Sequence, residues 1–246
     1  MRCQPRYEGL VYIWLKNKQS CLLCGEATDT LQPICTPCES ELPWLGNQCS
    51  VCALPLPMAG LRCGQCATRP PAFERVLAPW AYDFPVDSLI TRFKHQAKWP
   101  LGRLMGELLA QALQHQFDEG LERPDALVPV PLAARRLRQR GFNQAALIAR
   151  WLSKPLEIPC EENLLRRVQD TPAQQALDAR ARRRNLRQAF ALAPGASLRK
   201  RHLALVDDVL TTGATAEALA GLLLDAGATR VDVYCLARTP KPGEPA

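Results

Sequence analysis

Eight cysteines near the start of the chain form four C-x-x-C pairs, Cys21/Cys24, Cys35/Cys38, Cys49/Cys52 and Cys63/Cys66, with ten residues between one pair and the next. Two residues between thiols let a tight turn aim both sulfurs at one ion, and four thiolates complete a tetrahedral zinc shell. Eight thiols suit two zinc ions. Every ligand is then a thiolate, so both sites are closed and structural. Spacing alone leaves open whether neighbouring pairs share an ion or alternate pairs interleave. Disulfides are the rival account. Residues 1–20 carry Arg2, Arg6, Lys16 and Lys18 but no apolar core followed by a small-residue cleavage site. No apolar run approaches the roughly 20 residues that a membrane-spanning helix requires. The expectation is a cytoplasmic protein, where thiols stay reduced and disulfides are rare. A segment this short holds little core, so metal would supply most of its folding energy, on the order of 10–16 kcal/mol per site. Chelation is therefore expected to unfold residues 21–66 and leave the remainder folded. Cys160 and Cys235 stand alone and suit small core positions rather than nucleophiles, and Cys3 receives no role.

The cysteine module, residues 21–70, ends near Arg69-Pro70-Pro71. Beyond it, over residues 71–238, the pattern alternates between strands and helices. Residues 76–82, 126–130, 202–207 and 230–237 read as strands. Residues 85–96, 101–117, 143–152 and 215–226 have helical spacing, with Gly227 placed to cap the last helix. Such alternation predicts an α/β domain, a parallel sheet with helices on both faces. Residues 1–20 form an N-terminal segment, and the Pro-rich residues 239–246 read as a disordered tail.

In a sheet of this kind, ligands sit at the carboxyl ends of the strands. That rule puts Asp207 and Asp208 at the ligand edge, followed by Thr211, Thr212, Gly213, Ala214 and Thr215 leading into a helix. A helix N-terminus offers backbone N–H groups and a dipole that favour phosphate. Gly213 permits close approach or a positive φ, and the threonines add hydroxyl donors. Two adjacent carboxylates suit the vicinal hydroxyls of a ribose, directly or through hydrated Mg²⁺. Phosphate and diol together describe a ribose 5-phosphate. The chain has neither a Walker A lysine signature nor a G-x-G-x-x-G, so P-loop and dinucleotide folds do not compete.

Charge is distributed unevenly. Residues 132–201 hold 16 Lys/Arg against 5 Asp/Glu, a local excess of +11, whereas the rest of the chain sums to −4. That concentration points to an anionic partner, with a solvated arginine-rich face as the plainer account.

The segment from Leu205 to Thr215 resembles the phosphoribosyl pyrophosphate signature of type I phosphoribosyltransferases. From Cys21 to Arg238 the chain resembles the ComF family of competence proteins and its relative GntX. Further marks are Phe93-Lys94, Val128-Pro129-Val130-Pro131-Leu132, the run Arg135-Arg136-x-Arg138-x-Arg140-Gly141-Phe142-Asn143-Gln144, Thr171-x-x-Gln174, and Arg182-x-x-Asn185 leading to Ala189-Phe190. The resemblance implies that Asp207 and Asp208 hold the ribose hydroxyls, acting as the catalytic pair if the domain is an enzyme, that residues 211–215 bind the 5-phosphate, and that Mg²⁺ accompanies phosphoribosyl pyrophosphate, offsetting charge on the leaving pyrophosphate. The turn around residues 130–136 would meet pyrophosphate. Arg135, Arg136, Arg138 and Arg140 would neutralise it or grip a nucleic-acid backbone, and residues 171–185 correspond to a mobile cover. Two functions are implied. One is binding phosphoribosyl pyrophosphate while handling single-stranded DNA during natural transformation with other competence proteins, with Trp80, Trp99 and Trp151 as stacking candidates that suit a core equally. The other is transfer of ribose 5-phosphate to a small acceptor, although Thr211 stands where some base-salvage relatives carry an acidic residue.

Overall fold

The computed structural model describes residues 19–28, 30–169 and 188–241. The expected cover at 171–185, Cys3 and the tail beyond Lys241 lie outside them. The chain divides into two compact units, Met1–Leu42 and Pro43–Ala246. This division falls inside the 21–70 cysteine module of the sequence reading.

In the first unit the turn after Cys21 is closed by Gly25 N–H donating to the Cys21 carbonyl (2.9 Å), and Gly25 takes a φ of +83°. Ser20 bridges to Ala27 across this turn. Helix α1 (Thr36–Ser40) contains Cys38 and has Cys35 as its N-cap, with Pro37 in its first turn, and Ile34 and Leu42 are buried.

The second unit opens with the same device twenty-eight residues later. Ala53 N–H donates to the Cys49 carbonyl (3.0 Å), Gln48 bridges to Pro55, and helix α2 (Gly64–Thr68) follows Cys63. The structural repeat is thus two C-x-x-C pairs long: one pair sits on a turn and the next at a short helix. At the Gly25 position this copy has Ala53, held at φ +53° and fully buried.

The sheet contains β1 (Val76–Leu77), β2 (Trp80–Ala81), β3 (Ala126–Pro129), β6 (His202–Leu210) and β7 (Arg230–Arg238). Its order is β1-β7-β6-β3, all pairs are parallel, and β2 also pairs with β7. The single strand expected at 76–82 is split around Pro79, which has no N–H to give to a ladder; Val76 pairs with Val233 and Trp80 with Ala237. Strands β4 (Leu165–Arg167) and β5 (Phe190–Leu192) form a separate antiparallel ribbon.

Four longer helices are α3 (Val86–Gln96), α4 (Trp99–Asp118), α6 (Gln144–Leu156) and α7 (Ala214–Asp225), and the short α5 (Ala134–Arg140) follows β3. Helix α7 packs against one face of the sheet; α4 and α6 pack on each other and against the other. Inward apolar residues at helical spacing, such as Leu104, Leu108 and Leu109 in α4 and Ile148, Ala149 and Leu152 in α6, build that second layer. Helices α3 and α4 approach closely because position 102 is glycine: a Cβ there would lie 2.6 Å from the buried Phe93 ring. The α7-side core also contains Cys49, Val51, Ala53, Leu54, Cys63 and Cys66. No described helix is long and apolar enough to cross a membrane.

Candidate functional site

The thiols form two clusters, Cys21/Cys24/Cys35/Cys38 and Cys49/Cys52/Cys63/Cys66, with the sulfurs of each cluster within 4.8 Å of one another. Consecutive pairs therefore share an ion, which answers the question that spacing left open. The Sγ–Sγ separations of 3.7 Å for Cys24–Cys35 and 3.6 Å for Cys52–Cys63 match the edge of a tetrahedron with Zn–S near 2.3 Å, about 3.8 Å. Backbone N–H groups point at the sulfurs: Leu23 N donates to Cys21 Sγ (3.4 Å) and Cys63 N to Cys49 Sγ (3.2 Å). Burial pushes the Cys21 thiol up, but N–H groups of Cys24, Cys35 and Leu23 outweigh it and bring it down to about 6. Cys49 falls to about 7 by the same balance, with N–H groups of Cys52, Cys63 and Val51. Each cluster thus starts with one thiol disposed to ionise, and the donor set fits zinc.

The carboxyl edge of the sheet gathers most of the other predicted residues. Strand β6 runs past Asp207 to Leu210, three residues beyond the expected end. Both acids are therefore strand residues and not part of the loop. Parallel pairing of Pro129 with Val206 brings the turn after β3 beside them, and Val130 N–H donates to the Val206 carbonyl (2.9 Å). Asn143 fixes this turn while capping α6: its Nδ2 donates to the Val130 carbonyl (3.0 Å) and its Oδ1 accepts from Ala145 N (3.1 Å).

Asp208 is buried and meets Lys94 Nζ of α3 at 2.9 Å. Burial, then repulsion from Asp208, pushes the half-buried Asp207 carboxyl up to about 8, opposed by the Asp208 N–H and by Lys94. Arg135, Arg136 and Arg138 are exposed on α5, whereas Arg140 is partly buried and reaches Gln144. Burial and neighbouring Arg136 pull Arg140 down, against the charge of Asp208.

After β6 the chain enters Thr211–Thr212–Gly213 and then α7. Gly213 has a φ of +75°, the left-handed conformation that glycine adopts without strain. Thr212 Oγ1 accepts from Ala214 N at 3.4 Å. The first turn of α7 leaves further N–H groups without a partner inside the helix, and Thr211, Thr212 and Ala214 are exposed. The edge can therefore offer N–H and hydroxyl donors, two carboxylates and a lysine to one small anionic, hydroxyl-bearing molecule.

Lys94 had no assigned role in the sequence reading, although Phe93-Lys94 stood among the resemblance marks. Nothing in a helical pattern separates a lysine aimed at a carboxylate from a solvated one. The three tryptophans differ: Trp80 is fully buried, Trp151 is half-buried against Phe93, and Trp99 is 52% exposed at the end of a ring series Trp151–Phe93–Phe142–Trp99 with centroids 5.5–6.0 Å apart. Cys235 is buried, as expected of a core position, whereas Cys160 is only half-buried; burial pushes both thiols up, Cys160 to about 11.

A double zinc ribbon domain family matches residues 18–67. The chain is 37% identical over 225 residues to DNA utilization protein YhgH of Escherichia coli strain K12, covering 89% of this chain and 90% of that protein. It is 38% identical over 170 residues to competence protein F of Haemophilus influenzae, covering 68% and 74%. Among solved structures it is similar to a purine phosphoribosyltransferase from Pyrococcus horikoshii, with TM-score 0.35, 16% identity and coverage of 58% and 91%.

Proposed function

The chain belongs to the ComF family of competence and DNA utilization proteins, and from that premise we propose that it binds phosphoribosyl pyrophosphate and takes part in handling single-stranded DNA in the cytoplasm. The observation that carries this reading is the convergence, at one sheet edge, of the Asp207–Asp208 pair and the glycine-led start of α7, with the arginine helix α5 following the neighbouring strand. In this reading the N–H groups and hydroxyls of residues 211–215 receive the 5-phosphate. Asp207 and Asp208 would accept from the ribose hydroxyls, and these carboxylates could also hold a hydrated Mg²⁺, which would offset the charge of the pyrophosphate. Arg135, Arg136, Arg138 and Arg140 carry the fixed positive charge that pyrophosphate or a DNA backbone requires. Lys94 neutralises Asp208, and the pyrophosphate offers its ammonium a second partner. The DNA part of the proposal draws on the names of the relatives and on charge complementarity along α5.

The test is a calorimetric titration of the zinc-loaded full chain with phosphoribosyl pyrophosphate and Mg²⁺, with and without a single-stranded oligonucleotide. Binding whose affinity the oligonucleotide changes is the expected result, because two ligands on one edge must be thermodynamically linked. The double substitution Asp207→Asn with Asp208→Asn is expected to weaken binding at least ~10-fold, the scale of one lost charged hydrogen bond, with the fold intact. Absence of binding, or a double variant that binds normally, overturns the proposal. Release of pyrophosphate with one defined acceptor would add catalysis to it.

A further inference from the structure

Arg238, the last residue of β7, is buried, and among the described residues its guanidinium donates to backbone carbonyls alone. Nε donates to the Cys52 carbonyl at 2.8 Å. Nη1 reaches the carbonyls of Leu210 (3.2 Å), Thr211 (2.6 Å) and Thr239 (2.5 Å). Cys52 belongs to the second thiolate cluster, whereas Leu210 and Thr211 form the passage from β6 into the loop before α7. Among the described residues no carboxylate forms an ion pair with Arg238. A buried cation matched only by carbonyl dipoles favours an anion nearby.

Two more contacts join the same parts. Ala72 N–H, four residues beyond helix α2 of the second cluster, donates to Glu217 Oε2 in the first turn of α7 at 2.7 Å. The Phe73 ring flanks Gly213, where a Cβ would lie 3.9 Å from it. The loop before α7 is thus supported from both sides by the segment that the second cluster folds.

We propose that Arg238 is a positioning residue for the loop at residues 211–215, and that through it the second thiolate cluster sets the loop's conformation and its affinity for phosphate. The affinity half rests on the reading that this loop receives a phosphate; the conformational half does not. A planar guanidinium can bridge two carbonyls on different segments with fixed geometry, which an ammonium on a flexible stem does not reproduce. The fork therefore transmits the position of the Cys52 turn to Thr211. Loss of metal from Cys49, Cys52, Cys63 and Cys66 frees that turn, and the loop loses one wall.

The test compares full-length, zinc-loaded wild type with Arg238→Gln and Arg238→Lys by amide exchange across residues 210–216 without ligand, by zinc content, and by titration with phosphoribosyl pyrophosphate and Mg²⁺. Arg238→Gln is expected to exchange faster across these residues while retaining both zinc ions, and to bind on the order of 10- to 100-fold more weakly, the range of lost charge-assisted hydrogen bonds. Arg238→Lys is expected to keep part of the affinity through its charge but not the protection. Unchanged exchange in Arg238→Gln overturns the proposal. If wild type binds no phosphoribosyl pyrophosphate, the ligand reading fails while the exchange comparison still decides the positioning role. Should either variant fail to fold, graded chelation of wild type gives the same answer: protection at 210–216 must fall as the second zinc leaves, ahead of protection in α6. Protection in the loop that survives loss of both ions overturns it.

Discussion

The two thiolate clusters share the same spacing, the same turn and the same short helix, yet they occupy different surroundings. In the first, Cys24 is exposed and Cys38 half-exposed, and the cluster belongs to the unit ending at Leu42. In the second, Cys49, Cys63 and Cys66 are buried among residues that also pack against the sheet and α7. Ligand chemistry decides what each site binds; the neighbours decide what depends on it. The expectation that chelation unfolds residues 21–66 and spares the rest treats both clusters as one small module. The shared core implies a different outcome for each.

The largest effect is expected from Cys66→Ser. Loss of one zinc then removes support from the α/β core, and the melting midpoint of the second unit should fall by on the order of 10 °C or more. A midpoint within a degree or two of wild type would erase the distinction between the clusters. Cys35→Ser should release one zinc and expose residues 19–42 to protease, while the main transition shifts by no more than ~2 °C. A double-mutant cycle sharpens the contrast. Arg238→Gln combined with Cys66→Ser should be non-additive in loop exchange, and combined with Cys35→Ser additive, since only the former pair shares a hydrogen-bonded path. In the kinetics of chelation the exposed Cys24 should make the first cluster the faster to empty.

The ligand edge gives a contrast that depends on pH. Asp207 has its carboxyl raised to about 8 from an ordinary value of 3.8. The folded state therefore favours the protonated form, and the associated stability is present at low pH and lost as pH rises from about 4 through about 8. Asp207→Asn has no such loss. Its melting midpoint should gain on wild type across that window and stay level above it; a gain that shrinks with rising pH would contradict the burial argument.

The alternation of elements, the four cysteine pairs and the strand–loop–helix around Asp207 were legible because each depends on local pattern. Gly213 at a positive φ is a case in point. Other features depend on partners far along the chain. That β6 continues to Leu210 follows from pairing with β7 up to Arg238, which no property of Asp207 or Asp208 announces. Lys94 needs the packing of Phe93 on Gly102 to be aimed at Asp208, and Arg238 meets a carbonyl 186 residues away. The twenty-eight-residue repeat was hidden for another reason: regular ten-residue spacers made two alternating kinds of pair look alike.

The ring series ending at Trp99 makes the molecule its own optical probe. Of the described tryptophans, Trp80 is sealed from solvent, Trp44 leans on it with centroids 5.4 Å apart yet stays 44% exposed, and Trp99 stands 52% exposed next to Phe142, two residues beyond Arg140, which sets it apart by its neighbouring arginines. Iodide, drawn towards the arginines of α5, should dim Trp99 more strongly than neutral acrylamide would. Any polyanion settling on α5 should then restore that light, so occupancy of the arginine face can be followed without a label.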